Sequence, residues 1–460
     1  MNRAGLDINH EEILVNIVYL LENKNFDYVR NILTDLHPAD IADYVERMDA
    51  DYRNQTLSLL NPDIASEVLA ELEDATREDL LEEMDSSKIA ELINEMDSDD
   101  ATDVMDTVME LSEVKANEVL AQVEDEYSEE IQELLHYPED SAGGIMAKEY
   151  VAVNANFTVN QAIQELRSKR EEVEDIYQCY VVDDVGKLVG YVPLKDIILA
   201  RGESLIRDIM DTDVFAIASD MDQEQVAHIF EKYDLVSAPV VNHAWKLIGR
   251  ITIDDILDVI NEETDEDLGR IAGTGEEEIL EESVFRIAQA RLPWLIISFF
   301  GEMVSAMIMS FYSATINQIV ASAFFIPLVM AIGGSTGQQS SIIVVRGLAT
   351  GEINPLDIRR RLYREFRTAI INGFVIATLI FSVAMFWLGD GKFASVLSGT
   401  LMIVVLNASI FGAIIPFIFK KFEVDPALAT GPFVATFNDV IGLMIYFSLL
   451  ALSLKFILVA

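Results

Sequence analysis

The sequence predicts a multidomain chain: an all-α N-terminal helical-repeat domain, a duplicated α/β module, and an α-helical transmembrane bundle of five spans. Three observations predict it. Residues 1–282 hold 70 of the 78 acids and 20 of the 32 bases, a balance of −50, whereas 283–460 hold 8 acids and 12 bases, +4. A gap-free internal duplication lies at an offset of 59 residues, and five long apolar runs fill residues 291–460. The anionic part reads as soluble and the apolar part as membrane-embedded.

Residues 1–135 form the expected helical-repeat domain. Apolar residues recur there at three- and four-residue spacing, and only Pro38 and Pro62 interrupt residues 11–135. HPADIADYVERMD (37–49), NPDIASEVLAELED (61–74) and DSSKIAELINEMD (85–97) are weakly repeated. Each unit is expected to be one short amphipathic helix that buries its stripe by stacking on the next.

The duplication occupies residues 136–260. VVDDVGKLVGYVPLKDI (181–197) aligns with VVNHAWKLIGRITIDDI (240–256), placing Gly190 over Gly249 and Asp196 over Asp255. Each copy reads as two β-rich runs around a turn and then a helix, with a further strand and helix upstream. This order resembles a tandem pair of CBS domains. Residues 261–290 read as a charged helical connector interrupted at Gly273 and Gly275.

Residues 291–460 make the membrane part, with spans near 292–312, 319–345, 368–388, 394–419 and 427–454. Each is long enough for about 30 Å of hydrocarbon at about 1.5 Å per residue. The connection after span two carries Arg346, Arg359, Arg360, Arg361, Arg364 and Arg367, and that after span four Lys420 and Lys421. The positive-inside rule makes these loops cytoplasmic, with the N-terminal part inside and the C-terminus outside. The N-terminal stretch has no basic segment followed by a long apolar run, so no signal peptide is expected.

Acidity on this scale excludes a nucleic-acid partner, because phosphate contacts need Lys and Arg. It suits cations or a simply hydrated surface. Cys179 stands alone, so no intrachain disulfide forms. The absence of a P-loop, H-E-x-x-H or G-x-S-x-G pattern argues against an enzyme.

Within the spans, Asp439 lies 12 residues into the last run, about 18 Å along a helix and near mid-membrane. A carboxylate is costly there unless it meets water or a cation, or packs protonated inside the bundle. Glu302 is the other intramembrane acid, with a basic partner near the interface as one option. Pro327, Gly333, Gly334 and Gly337 in span two predict irregular backbone lining a wet cavity, or close helix contacts. Asn407 and Ser409, with Thr430, Gly431, Thr436 and Asn438, complete a polar seam.

Here a specific resemblance enters. GGSTGQQS (333–340), VDPALATGPFVATFNDVIG (424–442) and PEDSAGGIM (138–146), in this domain order, resemble the MgtE family of magnesium channels across essentially the whole chain. The resemblance implies a homodimer in the plasma (inner) membrane with a magnesium pore on its two-fold axis. Asp439, Asn438, Gly431, Gly333, Gly334 and Asn407 then belong to the pore, and Asp425 to its cytoplasmic mouth. It also implies regulatory magnesium bound by Asp99, Asp103, Gly144, Asp222, Glu224, Asp234, Asp255, Asp258, Glu263, Glu266 and Asp267. CBS modules often bind adenosine nucleotides such as ATP through a Thr and an Asp in the last strand-to-helix turn. Thr252 and Asp255 match in the second copy, whereas Pro193 replaces the Thr in the first. A secondary divalent-cation transporter, or a membrane-anchored magnesium or nucleotide sensor without conduction, remain the alternatives.

Overall fold

A computed structural model of the chain describes residues 10–170, 173, 176–272, 284–349, 353, 358–422, 424–429 and 431–458. Gly273 and Gly275 of the connector and Thr430 of the expected seam lie outside these residues. Two compact units divide the chain, residues 1–262 and 263–460.

The first unit opens with ten short helices: α1 (His10–Glu22), α2 (Phe26–Thr34), α3 (Pro38–Glu46), α4 (Ala50–Ser58), α5 (Pro62–Ala70), α6 (Asp74–Glu83), α7 (Ser86–Ile93), α8 (Ser98–Leu111), α9 (Glu113–Leu120) and α10 (Asp125–Leu134). Both prolines stand at the first helical position, where a missing N–H costs nothing and φ is already helical. The buried positions repeat every 24 residues: Ile41, Ala42, Tyr44 and Val45 in α3, then Ala65, Ser66, Val68 and Leu69 in α5, then Ile89, Ala90, Leu92 and Ile93 in α7. The repeating unit is a pair of helices rather than the single helix expected. α4, α6 and α8 supply the second layer, because a helix of two to three turns cannot shield its stripe from water with a neighbour on one side only. Each fully buried Leu or Ile contributes about 1.5–3 kcal/mol to this core.

The duplicated module follows. Its first copy has β1 (Ala152–Asn154), α11 (Val159–Ser168), β2 (Gln178–Val182), β3 (Leu188–Pro193), α12 (Leu194–Leu199) and α13 (Ile206–Ile209). The second has β4 (Ile217–Ala218), α14 (Gln223–Tyr233), β5 (Ser237–Val241), β6 (Leu247–Thr252) and α15 (Ile253–Ala272). Each sheet pairs its first two strands parallel and its last two antiparallel, with a bulge at Val181/Val182 and again at Val240/Val241. The copies join through Tyr180, whose hydroxyl meets Ser237 Oγ at 2.7 Å, and through a shared apolar cluster of Tyr180, Leu188, Val241 and Leu247.

The second unit contains the membrane helices. Five are long and apolar enough to span among the described residues: α16 (Val284–Phe311), α18 (Ile326–Ala349) with its 3₁₀ lead-in Val320–Phe325, α19 (Ile358–Leu388), α20 (Gly391–Lys421) and α21 (Gly431–Leu452). Short α17 (Ser313–Gln318) and α22 (Leu454–Leu458) flank them. Span two decides between its two expectations. Its glycines do not break the backbone; α18 is continuous through Gly333, Gly334 and Gly337. They allow close packing instead: Gly412 of α20 meets the Gly337 backbone so closely that a Cβ there would collide with the carbonyl. Small residues at crossings serve helix association in lipid, where no hydrophobic drive holds helices together.

Candidate ion path and acidic clusters

Asp439 lies in the first half of α21, half-buried, with Oδ1 buried and without a hydrogen-bond partner. A Cβ on Gly334 would stand 3.6 Å from that oxygen, so the bare face of α18 borders it. Asn438 is 2 % exposed, and neither amide atom has a partner among the described residues. Its Nδ2 occupies the space left by Gly337, where any Cβ would clash. Gly333 sits against Val404 of α20 and the Asn438 backbone. Asn407 is half-buried on α20. Its expected seam partner Ser409 instead donates to Glu365 at 3.0 Å.

Glu302 reaches the Asp439 carboxyl rather than a base. Gly301 makes this possible: a side chain there would overlap Thr436, so α16 approaches α21 closely one residue before Glu302. Two carboxyls so close demand a cation or a proton between them.

At the start of α21, Gly431 has φ +47° and a Cβ there would meet the Ile271 carbonyl at 2.5 Å. Only glycine suits that conformation and approach. Asp425 accepts the Ala427 N–H at 2.8 Å and pairs with Arg270, whose guanidinium also pairs with Glu266. Asp267 is pushed up to about 6 by burial, then by Asp425 and Glu263. Arg270 was missed in the sequence, although it is the one base in residues 251–285.

In the first unit, Asp99 on α8 joins Asp97 and Glu149, whose candidate ligand oxygens all lie within 4.8 Å of one another. Ser98 orders this group by donating N–H and Oγ to Glu149 at 3.2 and 2.7 Å. Burial, then Asp100, Asp255, Glu149 and Asp97, hold the Asp99 carboxyl well above the usual range. Three carboxylate oxygens are a donor set that suits magnesium, which prefers octahedral oxygen and keeps several of its own waters. Asp97 and Glu149 were not anticipated; Asp97 lay two residues from Asp99, but Glu149 is distant in sequence and only folding delivers it.

The remaining expected residues are placed as follows. Asp103 is exposed on α8, in the field of Arg77, Glu139 and Glu262. Gly144 is buried in a tight turn where a Cβ would meet the Pro138 and Glu139 carbonyls at 2.5 Å. Asp222 precedes α14, Glu224 lies in its first turn, and Asp234 ends it at φ +51°; all three are exposed. Asp258 and Glu263 follow Asp255 along α15. Asp255 accepts Thr252 N–H and Oγ1 at 2.9 and 2.8 Å, and burial, then Asp254, push it up to about 6 against those two bonds. Among the described residues, no other expected acid joins the Asp97–Asp99–Glu149 group.

Comparison with known proteins matches these parts separately and together. A divalent cation transporter model matches residues 326–449, an MgtE intracellular N domain residues 36–140, and CBS domains residues 142–203 and 206–262. The chain is 35% identical to a magnesium transporter MgtE of Bacillus subtilis, covering 96% of this chain and 98% of the relative. It is 33% identical to that of Thermus thermophilus, covering 97% and 99%. A crystal structure of the cytosolic domain of the Mg2+ channel MgtE in complex with ATP matches 54% of this chain and 99% of its own, at 31% identity and TM-score 0.51. With both halves accounted for by relatives of nearly equal length, the chain belongs to the MgtE family.

Proposed function

We propose that this chain conducts magnesium across the plasma (inner) membrane as a homodimer, past Asp439, under control of magnesium bound by its acidic cytoplasmic domains. The carrying observation is the buried, partnerless Asp439 oxygen beside the bare face of α18. An unsatisfied carboxylate at membrane depth is expensive unless a cation or its water visits it. Two symmetry-related Asp439 side chains would bring −2 to a hydrated +2 ion, which suits a metal that dehydrates reluctantly. The N-terminal domains are cytoplasmic and the C-terminus outside, in line with the basic connections after spans two and four. Magnesium flux into proteoliposomes tests the reading: Asp439→Ala should insert normally and lose flux, and undiminished flux would take Asp439 out of the path.

Regulation follows from like charge. At low magnesium the carboxylates around Asp99, Asp255 and Asp267 repel, and bound ions draw them together. The closed form is favoured only to the extent that it binds magnesium more tightly. Asp425, paired with Arg270 of the connector, is the acid at the mouth. In the second CBS copy, Thr252 and Asp255 are already hydrogen-bonded in the turn where a nucleotide would sit, and we assign ATP to that turn. Binding of labelled ATP to the full chain should fall on Thr252→Ala, and unchanged binding would move the nucleotide elsewhere.

A further inference from the structure

Most of the membrane path can be assigned to Asp439, but its neighbour on α16 has a role of its own. Gly301 brings α16 against Thr436 of α21, and the next residue, Glu302, thereby comes within hydrogen-bonding reach of the Asp439 carboxyl. Glu302 is exposed on this subunit and has no basic partner among the described residues. The two helices carry several buried polar atoms without partners. Ser305, one turn along α16 from Glu302, is 2 % exposed with its Oγ unpaired, and the Asn438 amide and Asp439 Oδ1 are unpaired as well. Buried polar atoms normally find partners, so a seam where several do not is a place for water or a hydrated ion.

We propose that Glu302 is an acidic group of the ion path beside Asp439, so that each subunit brings two carboxylates to the cation at this depth and the extra charge sets preference for divalent over monovalent ions. This rests on the reading of Asp439 as the pore acid. In the field of four carboxylates, a +2 ion gains twice the Coulomb energy of a +1 ion at the same distance. Asp439 contacts the hydrated ion, and Glu302 acts beside it, as a specificity-determining charge.

The test compares Mg2+ and K+ flux in proteoliposomes holding the full chain, Glu302→Gln, Glu302→Asp and Asp439→Asn. Glu302→Gln should raise the magnesium concentration for half-maximal flux by about tenfold and admit a potassium leak, because the lost charge weakens divalent binding most. Glu302→Asp, which keeps the charge, should bring both values back toward the parent. Unchanged half-saturation and no leak in Glu302→Gln would overturn the proposal. Equal impairment in Gln and Asp variants would also overturn it, since packing rather than charge would then matter. Should Glu302→Gln not insert, Glu302→Ser is read by the same criteria. Normal magnesium flux in Asp439→Asn would instead remove the pore reading itself, an outcome separate from the response of Glu302.

Discussion

Two carboxylates in one helical bundle have opposite surroundings. Glu365, near the start of α19, is 7 % exposed and completely engaged: Oε1 accepts Ser340 and Ser409 hydroxyls at 2.6 and 3.0 Å, and Oε2 accepts Arg361 at 3.0 Å. Asp439 on α21 leaves Oδ1 buried with no partner and faces another acid. The first acid ties α18, α19 and α20 together. The second leaves one buried oxygen without a partner. An acid inside a membrane bundle is therefore read by its partners, not by its depth.

The contrast breaks most sharply on removal. Glu365→Ala should destabilise the bundle by about 3–5 kcal/mol, because Arg361 is left buried and uncompensated. Thermal melting of the full chain in detergent checks this. Asp439→Ala, the variant expected to lose flux, should shift the melting temperature far less, since its Oδ1 has no partner to give up and its neighbour Glu302 is another acid. Equal loss of stability in the two variants would erase the distinction drawn here.

A smaller effect sharpens the comparison in the first unit, where buried acids lie close to other acids. Asp255 is raised to about 6 by burial, so in the folded chain its ionised form costs stability above its ordinary range. The sign follows: the penalty stands at neutral pH and is relieved as pH falls through about 6, with no further gain below the ordinary carboxylate range near 4. Limited proteolysis of the full chain in magnesium-free buffer should therefore slow between pH 7.5 and 5.5, and magnesium at pH 7.5 should reproduce the protection. Faster cleavage at pH 5.5 would mean that these carboxylates are not held close together.

Much of this was legible in the chain itself. The 59-residue duplication reappears as two sheets with bulges at equivalent positions. The helical repeats were visible, but their second layer was not. α4 and α6 have weak apolar patterning, and their burial depends on neighbours rather than on their own stripes. Span two left two readings open for a related reason: glycines that would break an isolated helix are tolerated where α20 and α21 press against them. Glu365 was passed over because α19 begins ten residues before the apolar run, so a hydropathy reading left its acid outside the span.

Local properties of the sequence determined the split of charge, the number of spans, the duplicated module and the isolation of Asp439 in an apolar run, because composition and periodicity are properties of neighbouring residues. Tertiary structure alone decided that Glu302 meets Asp439, that Arg270 meets Asp425, and that Glu149 joins Asp97 and Asp99. Each pairing joins residues separated by about 50 positions or more. Such meetings depend on how separate elements pack together, as where Gly301 brings α16 against α21, and no local pattern of charge encodes which meeting will occur.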